Sequence, residues 1–218
     1  MRLPEPIAKS PLYAFFFKGA IWLVVLTSLW STVADWTMRP AVSVSYVALK
    51  TAFPWWVHDG EYKGDSYELG TRIQVVVANA PPGAKGVLVA DCKPARYGYG
   101  LPMLLALLLA CGSRRLVRNS IIGALALIPF QAFSISFDLL KQVAVEGGAV
   151  AAAQTGFSAF SVNAIALGYQ LGFLLLPTLV PIMVWLFLER DFLAAITTDR
   201  QAPAPQDPAS QGPSPGNS

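Results

Sequence analysis

A chain of 218 residues that is 54% hydrophobic and only 13% charged, with a mean hydropathy of +0.49, lies far below the roughly 25% charged content of a soluble domain, which excludes water as the solvent for most of it. The net charge of +3 is spread over short segments beside apolar runs, so it reads as topology signalling and not as a nucleic-acid footprint. Two cysteines, Cys92 and Cys111, and one histidine, His58, exclude a disulfide framework and a zinc cluster.

A membrane-crossing helix needs about 20 mainly apolar residues. Residues 1–18, with Arg2, Lys9 and Lys18, are expected on the cytoplasmic side, and residues 19–36 (GAIWLVVLTSLWSTVADW) form the first predicted span, backed by the apolar stretch from Tyr13 to Phe17. A cleaved signal peptide, with Thr32, Val33 and Ala34 as its small-residue site, is the competing reading; the apolar region exceeds the about 7 to 15 residues of a signal core.

Residues 37–96 are expected outside as a small α+β insertion between spans one and two. In PAVSVSYVALKTAFP, Val42, Val44 and Tyr46 alternate with serines as in a strand, whereas Pro40 and Pro54 suit the ends of a helix. A helix near the membrane surface is the favoured expectation, with Trp55 and Trp56 at headgroup level. Further on, TRIQVVVANA and VLVADC, joined by PPGAKG, predict a β-hairpin. Two strands alone are marginal and need partners.

The second predicted span covers residues 97–113 (YGYGLPMLLALLLACGS), with Pro102 in its first turn. Behind it GSRRLVRN places Arg114, Arg115 and Arg118 in one short loop, 114–119, a positive-inside signal that assigns the loop to the cytoplasm. The third span follows at 120–140, an outer connection at 141–161 with Glu146 among small residues, and the fourth span at 162–188. Residues 189–218 form a cytoplasmic tail, expected to be disordered from about 201 because QAPAPQDPASQGPSPGNS buries too little apolar surface. The expected fold is therefore a membrane α-helical one, a four-span helical bundle with both termini in the cytoplasm.

Polar groups inside spans are costly, so they point to packing or function. Gln131, Ser134, Asp138 and Lys141 share one face of the third span, with Asp138 and Lys141 expected as an ion pair near the outer surface. On the fourth span Asn163 and Gln170 accompany a small-residue ridge of Ala164, Gly168 and Gly172. These residues are the predicted helix–helix or partner contacts, with a Gln131–Gln170 hydrogen bond near the midplane. Pro129, Pro177 and Pro181 should kink the helices, which leaves a lipid or small-molecule binding protein as an alternative.

A cysteine peptidase or transpeptidase using Cys92 and His58 is a further alternative, since both lie in the outer segment. No flanking motif supports the dyad, phosphate loops and metal-ligand spacings are absent, and neither a catalytic group nor a cofactor is expected.

The entry ARYGYGLPMLLALLLA, the RRLVR loop behind it and the polar helix IPFQAFSISFDLLKQ resemble the exosortase H-associated membrane proteins, small bacterial proteins found with exosortase H, a membrane enzyme that processes proteins by a C-terminal sorting signal. The resemblance is carried by residues 71–142, and by layout elsewhere. It implies a bacterial inner-membrane accessory of a sorting machine, with exosortase H or its sorted substrates, and membrane lipid, as partners. Exosortases themselves set a cysteine and arginines at the outer face, whereas Cys111 is expected inside; that departure favours an accessory over the enzyme.

Overall fold

The computed structural model describes residues 11–76 and 85–190. Helix α1 (Pro11–Ser31) stops where hydroxyls take carbonyls from the ladder: Ser28 Oγ donates to Val24 O at 2.9 Å, Ser31 Oγ to Ser28 O at 2.8 Å and Thr32 Oγ1 to Leu29 O at 2.7 Å. The first span expected at 19–36 is thus shifted towards the N-terminus, and residues 34–36 open the next helix. That helix, α2 (Ala34–Ala52), carries Pro40 in its interior and not at its start. It survives the lost hydrogen bond because Met38, Ala41, Val42, Ser45 and Leu49 form a buried stripe at helical spacing.

Three antiparallel strands follow, β1 (Val57–Lys63), β2 (Ser66–Val76) and β3 (Lys85–Cys92), in the order β1-β2-β3. The hairpin expected from TRIQVVVANA and VLVADC corresponds to β2 and β3; most of its PPGAKG turn lies outside the described residues. Strand β1 is the partner that the hairpin needed, and it is joined to β2 by Gly64 and Asp65, with Lys63 opposite Ser66. Gly64 takes φ +64° there, a value that suits glycine.

A 3₁₀ turn (Pro94–Tyr97) leads into α3 (Gly100–Ala110), then α4 (Leu116–Lys141), a π turn (Gln142–Glu146), α5 (Gly148–Thr155), α6 (Ala159–Gln170), a second π turn (Leu171–Leu175) and α7 (Leu176–Leu188). The connection expected at 141–161 is therefore largely helical. Among the described residues, three continuous helices are long and apolar enough to cross a membrane: Tyr13–Ser31, Leu116–Glu146 and Ala159–Leu188. Within the span expected at 97–113 the helix proper is 11 residues, about 16 Å long, shorter than the roughly 30 Å hydrocarbon layer. Its apolar character all round comes from enclosure by protein: no residue from Gly100 to Ala110 is exposed.

Two cores result. One, at the loop end of the bundle, joins Leu104, Leu108, Leu127, Val180 and Trp185, with Phe15 stacked on Trp185 at 5.5 Å. The other runs from Met38 and Leu49 through Trp56, Leu69 and Ile73 to Ile135, Leu139 and Val143. The sheet and the far half of α4 therefore share one core, and the insertion is built onto the bundle, not tethered to it.

Candidate functional site

The polar face of α4 begins with Ser134, whose hydroxyl lies 3.0 Å from Phe130 O on its own helix and 2.9 Å from Gly172 O across the interface. A Cβ on Gly172 would come within 2.9 Å of Ser134 Cα, and one on Gly168 within 2.2 Å of the Phe137 ring. These two glycines are what lets the chain around the second π turn approach α4 so closely. Ala164, placed on the same predicted ridge, is exposed. On the opposite flank Ser136 Oγ pairs with Ser45 Oγ at 2.8 Å and with Ala132 O at 2.8 Å, tying α2 to α4.

The expected Asp138–Lys141 ion pair does not form. Lys141 Nζ sits 2.6 Å from Glu146 Oε1 and 4.5 Å above the Tyr169 ring, because the π turn swings Glu146 back over the helix end. Asp138 is buried and lies against the Tyr97 hydroxyl, with Lys141 and Arg96 as nearby charges. The Gln131–Gln170 hydrogen bond is also absent: Gln131 is 9% exposed, whereas Gln170 and Asn163 point away from the bundle and are exposed. Spacing on one helix places a side chain on a face, but the rotation of the partner helix decides which of its residues meets that face.

Gln131 lines a small open cleft, with room for about one water, together with Tyr97, Gly100, Phe130, Ser134 and Pro177. The helices α3, α4 and α7 form its walls. A Cβ on Gly100 would lie 2.9 Å from Pro177 O and 2.7 Å from Pro181 Cγ, so only glycine lets α3 and α7 close there.

Two glutamines missed by sequence reasoning clamp the sheet to the bundle. Gln142 Oε1 accepts from Asp91 N at 3.0 Å while its Nε2 donates to Asp91 O at 2.5 Å. Gln154 does the same for Gln74, at 2.9 Å and 2.7 Å. Each carboxamide imitates a neighbouring strand, closing one donor and one acceptor. The signal in the sequence was an isolated glutamine in each of two small or apolar stretches, too weak to name a partner. At the loop end, Asn119 Nδ2 donates to Glu189 Oε1 at 2.7 Å, and Ser113 Oγ donates to the same oxygen. This fastens the basic loop to the end of α7.

Cys92 and His58 are not assembled as a dyad. Cys92 is 3% exposed, facing the core, and burial pushes its thiol up, with the Asp138 charge adding to the effect. His58 is exposed and meets Asp59, with Nδ1 3.3 Å from Oδ1. Among the described residues no three His, Cys, Asp or Glu side chains gather as a metal site.

Long apolar helices, a polar seam within the bundle and a sheet fused to one end define an integral membrane protein. The chain belongs to the exosortase H-associated membrane protein family, whose model matches residues 9–192. No curated protein and no solved structure matches it.

Proposed function

We propose that the protein is a non-catalytic accessory of an exosortase-type sorting system, seated in the bacterial inner membrane with both termini in the cytoplasm and docking on exosortase H or its substrate. The family match over residues 9–192 is the observation that carries this reading. A buried, unactivated Cys92 speaks for an accessory over a peptidase. The core shared by the sheet and α4 supports a mechanical role, since a partner bound outside would be held in register with one bound within the bilayer. Lipid, on this reading, is solvent and not cargo.

The test is co-purification: tagged protein extracted in mild detergent from membranes that contain exosortase H should carry exosortase H with it. Recovery no greater than that of an unrelated multi-pass protein would refute the assignment.

A further inference from the structure

The edges of the three-stranded sheet are built differently. At the β1 edge the register slips between Val57 and Gly60, and His58, Asp59, Glu61 and Lys63 are exposed, a bulge and polar side chains of the kind that keep other strands away. The β3 edge has neither device from Gly86 to Ala90, where its sequence is GVLVA. The irregularity opposite it lies on β2, since Gly70 pairs with Val89 and Gln74 with Val87. Strand β3 itself stays regular.

Along such a strand the backbone groups of successive residues point alternately towards the neighbouring strand and away from it. Neighbouring contacts fix the phase. The Asp91 N–H and carbonyl face outward, where the Gln142 carboxamide meets both. The Leu88 carbonyl faces β2 and accepts from Thr71 Oγ1 at 2.5 Å. Gln74 turns its own N–H and carbonyl away to Gln154, so it does not occupy those of Val87 opposite. Val87 and Val89 therefore each direct an N–H and a carbonyl out of the sheet, and among the described residues none of these groups has a partner. Gln142 already stands at this edge in the manner of a strand, but it closes only the pair at Asp91. The side chains of Val87 and Val89 are 58% and 47% exposed, while Leu88 and Ala90 turn to the core. An extended chain is the ligand that matches these features together: its backbone supplies acceptors and donors at the same spacing, and its alternate side chains can cover the valines. A helix has spent its backbone groups on itself, and a lipid acyl chain has none.

We infer that the open edge of β3 receives an extended segment of a partner protein, which pairs with Val87 and Val89 as an added strand and sets apolar side chains at alternate positions against those valines. This rests on the accessory reading for the presence of a partner on the sheet's side of the membrane, but not for the chemistry of the edge.

The test places a photo-crosslinking amino acid at Val89, and for comparison at Glu61 on β1, in the full chain in membranes that contain exosortase H and a protein it sorts. Position 89, and not 61, should crosslink to another protein within an alternately apolar, extended segment. Adding Val87→Pro, which removes an outward N–H and sets a ring against an incoming strand, should lower the crosslinked fraction about tenfold, the worth of roughly one or two hydrogen bonds. Val87→Thr, which keeps the N–H, should leave it unaltered. An equal yield with Val87→Pro, or crosslinks confined to phospholipid or to a second copy of this chain, would overturn the inference. Amide hydrogen exchange on the isolated parent protein needs no variant: Val87 and Val89 should exchange quickly and Ala90, paired with Leu69, slowly. Slow exchange at Val87 and Val89 would show an edge already closed and overturn the inference as well. Exosortase H recovered with the parent, while position 89 crosslinks to no protein, would sink the edge and leave the accessory role standing. If exosortase H does not co-purify, the accessory role falls, and a crosslink from position 89 to another protein that Val87→Pro abolishes would still uphold the edge.

Discussion

Gly172 is under a constraint that no surface glycine feels. A methyl group there would meet the Ser134 backbone at 2.9 Å, and backbone yields less readily than a flexible side chain. Gly172→Ala should therefore cost about 1 to 3 kcal/mol, the usual range for overpacking, and should also loosen the Ser134–Gly172 hydrogen bond; thermal melting in detergent measures it. Tyr62 offers a second test. Its hydroxyl is raised from 10.0 to about 12, chiefly by burial, with Cys92 next and Arg39 opposing. Tyr67 and Cys92 are raised by burial too. A group whose pKa is higher folded than unfolded keeps its full contribution below the unfolded value and loses it as the pH climbs towards the folded one. The sheet region should thus stay intact up to about pH 9, where an unfolded Cys92 thiol begins to ionise, and weaken further between pH 10 and about 12, with phenolate absorbance and tryptophan fluorescence changing together. If the phenolate absorbance that a Tyr62→Phe variant lacks developed near pH 10 with fluorescence unaltered, Tyr62 would be shown not to be enclosed.

At the scale of elements, the sheet depends on side chains from elsewhere in the chain. Gln142 and Gln154 come from the segment after α4, yet they close the backbones of β3 and β2 at Asp91 and Gln74. Each clamp makes two hydrogen bonds, and each bond contributes about 1 kcal/mol net. The Gln142→Leu, Gln154→Leu double variant should lose about 2 to 4 kcal/mol of local stability. Limited proteolysis should then cut within β2 or β3 earlier than in the parent, while the membrane helices remain protected. The short helix α3 makes the complementary point. Being wrapped by α1, α4 and α7, it need not match the bilayer thickness, so its length reports packing and not topology.

For the whole molecule, the proposed topology places the sheet outside the membrane. In the proposed topology the arginine loop at 114–119 faces the cytoplasm, as the positive-inside rule favours, and the sheet lies at the other end of α4. Cys92 is too buried to report on this, whereas Val87 is 58% exposed on β3. In spheroplasts a membrane-impermeant maleimide should label Val87→Cys at once and Arg115→Cys only after lysis. The reverse pattern would invert the topology and remove the outer docking surface from the proposed function.

The sequence by itself determined that the chain belongs in a bilayer, where its long apolar runs lie and that β2 and β3 pair, because these follow from composition, period and local turn chemistry; the family was legible only as a resemblance carried by residues 71–142 and by layout. Strand β1 was not read from the sequence, because its pattern is polar and it is exposed along most of its length. Only the tertiary structure decided that 97–113 holds a short enclosed helix, that Lys141 turns to Glu146 and leaves Asp138 to Tyr97, and that Gln131 meets a cleft where Gln170 was expected. An apolar run enclosed by protein reads like one enclosed by lipid, and the face a residue occupies on its own helix says nothing about how the neighbouring helix is rotated against it.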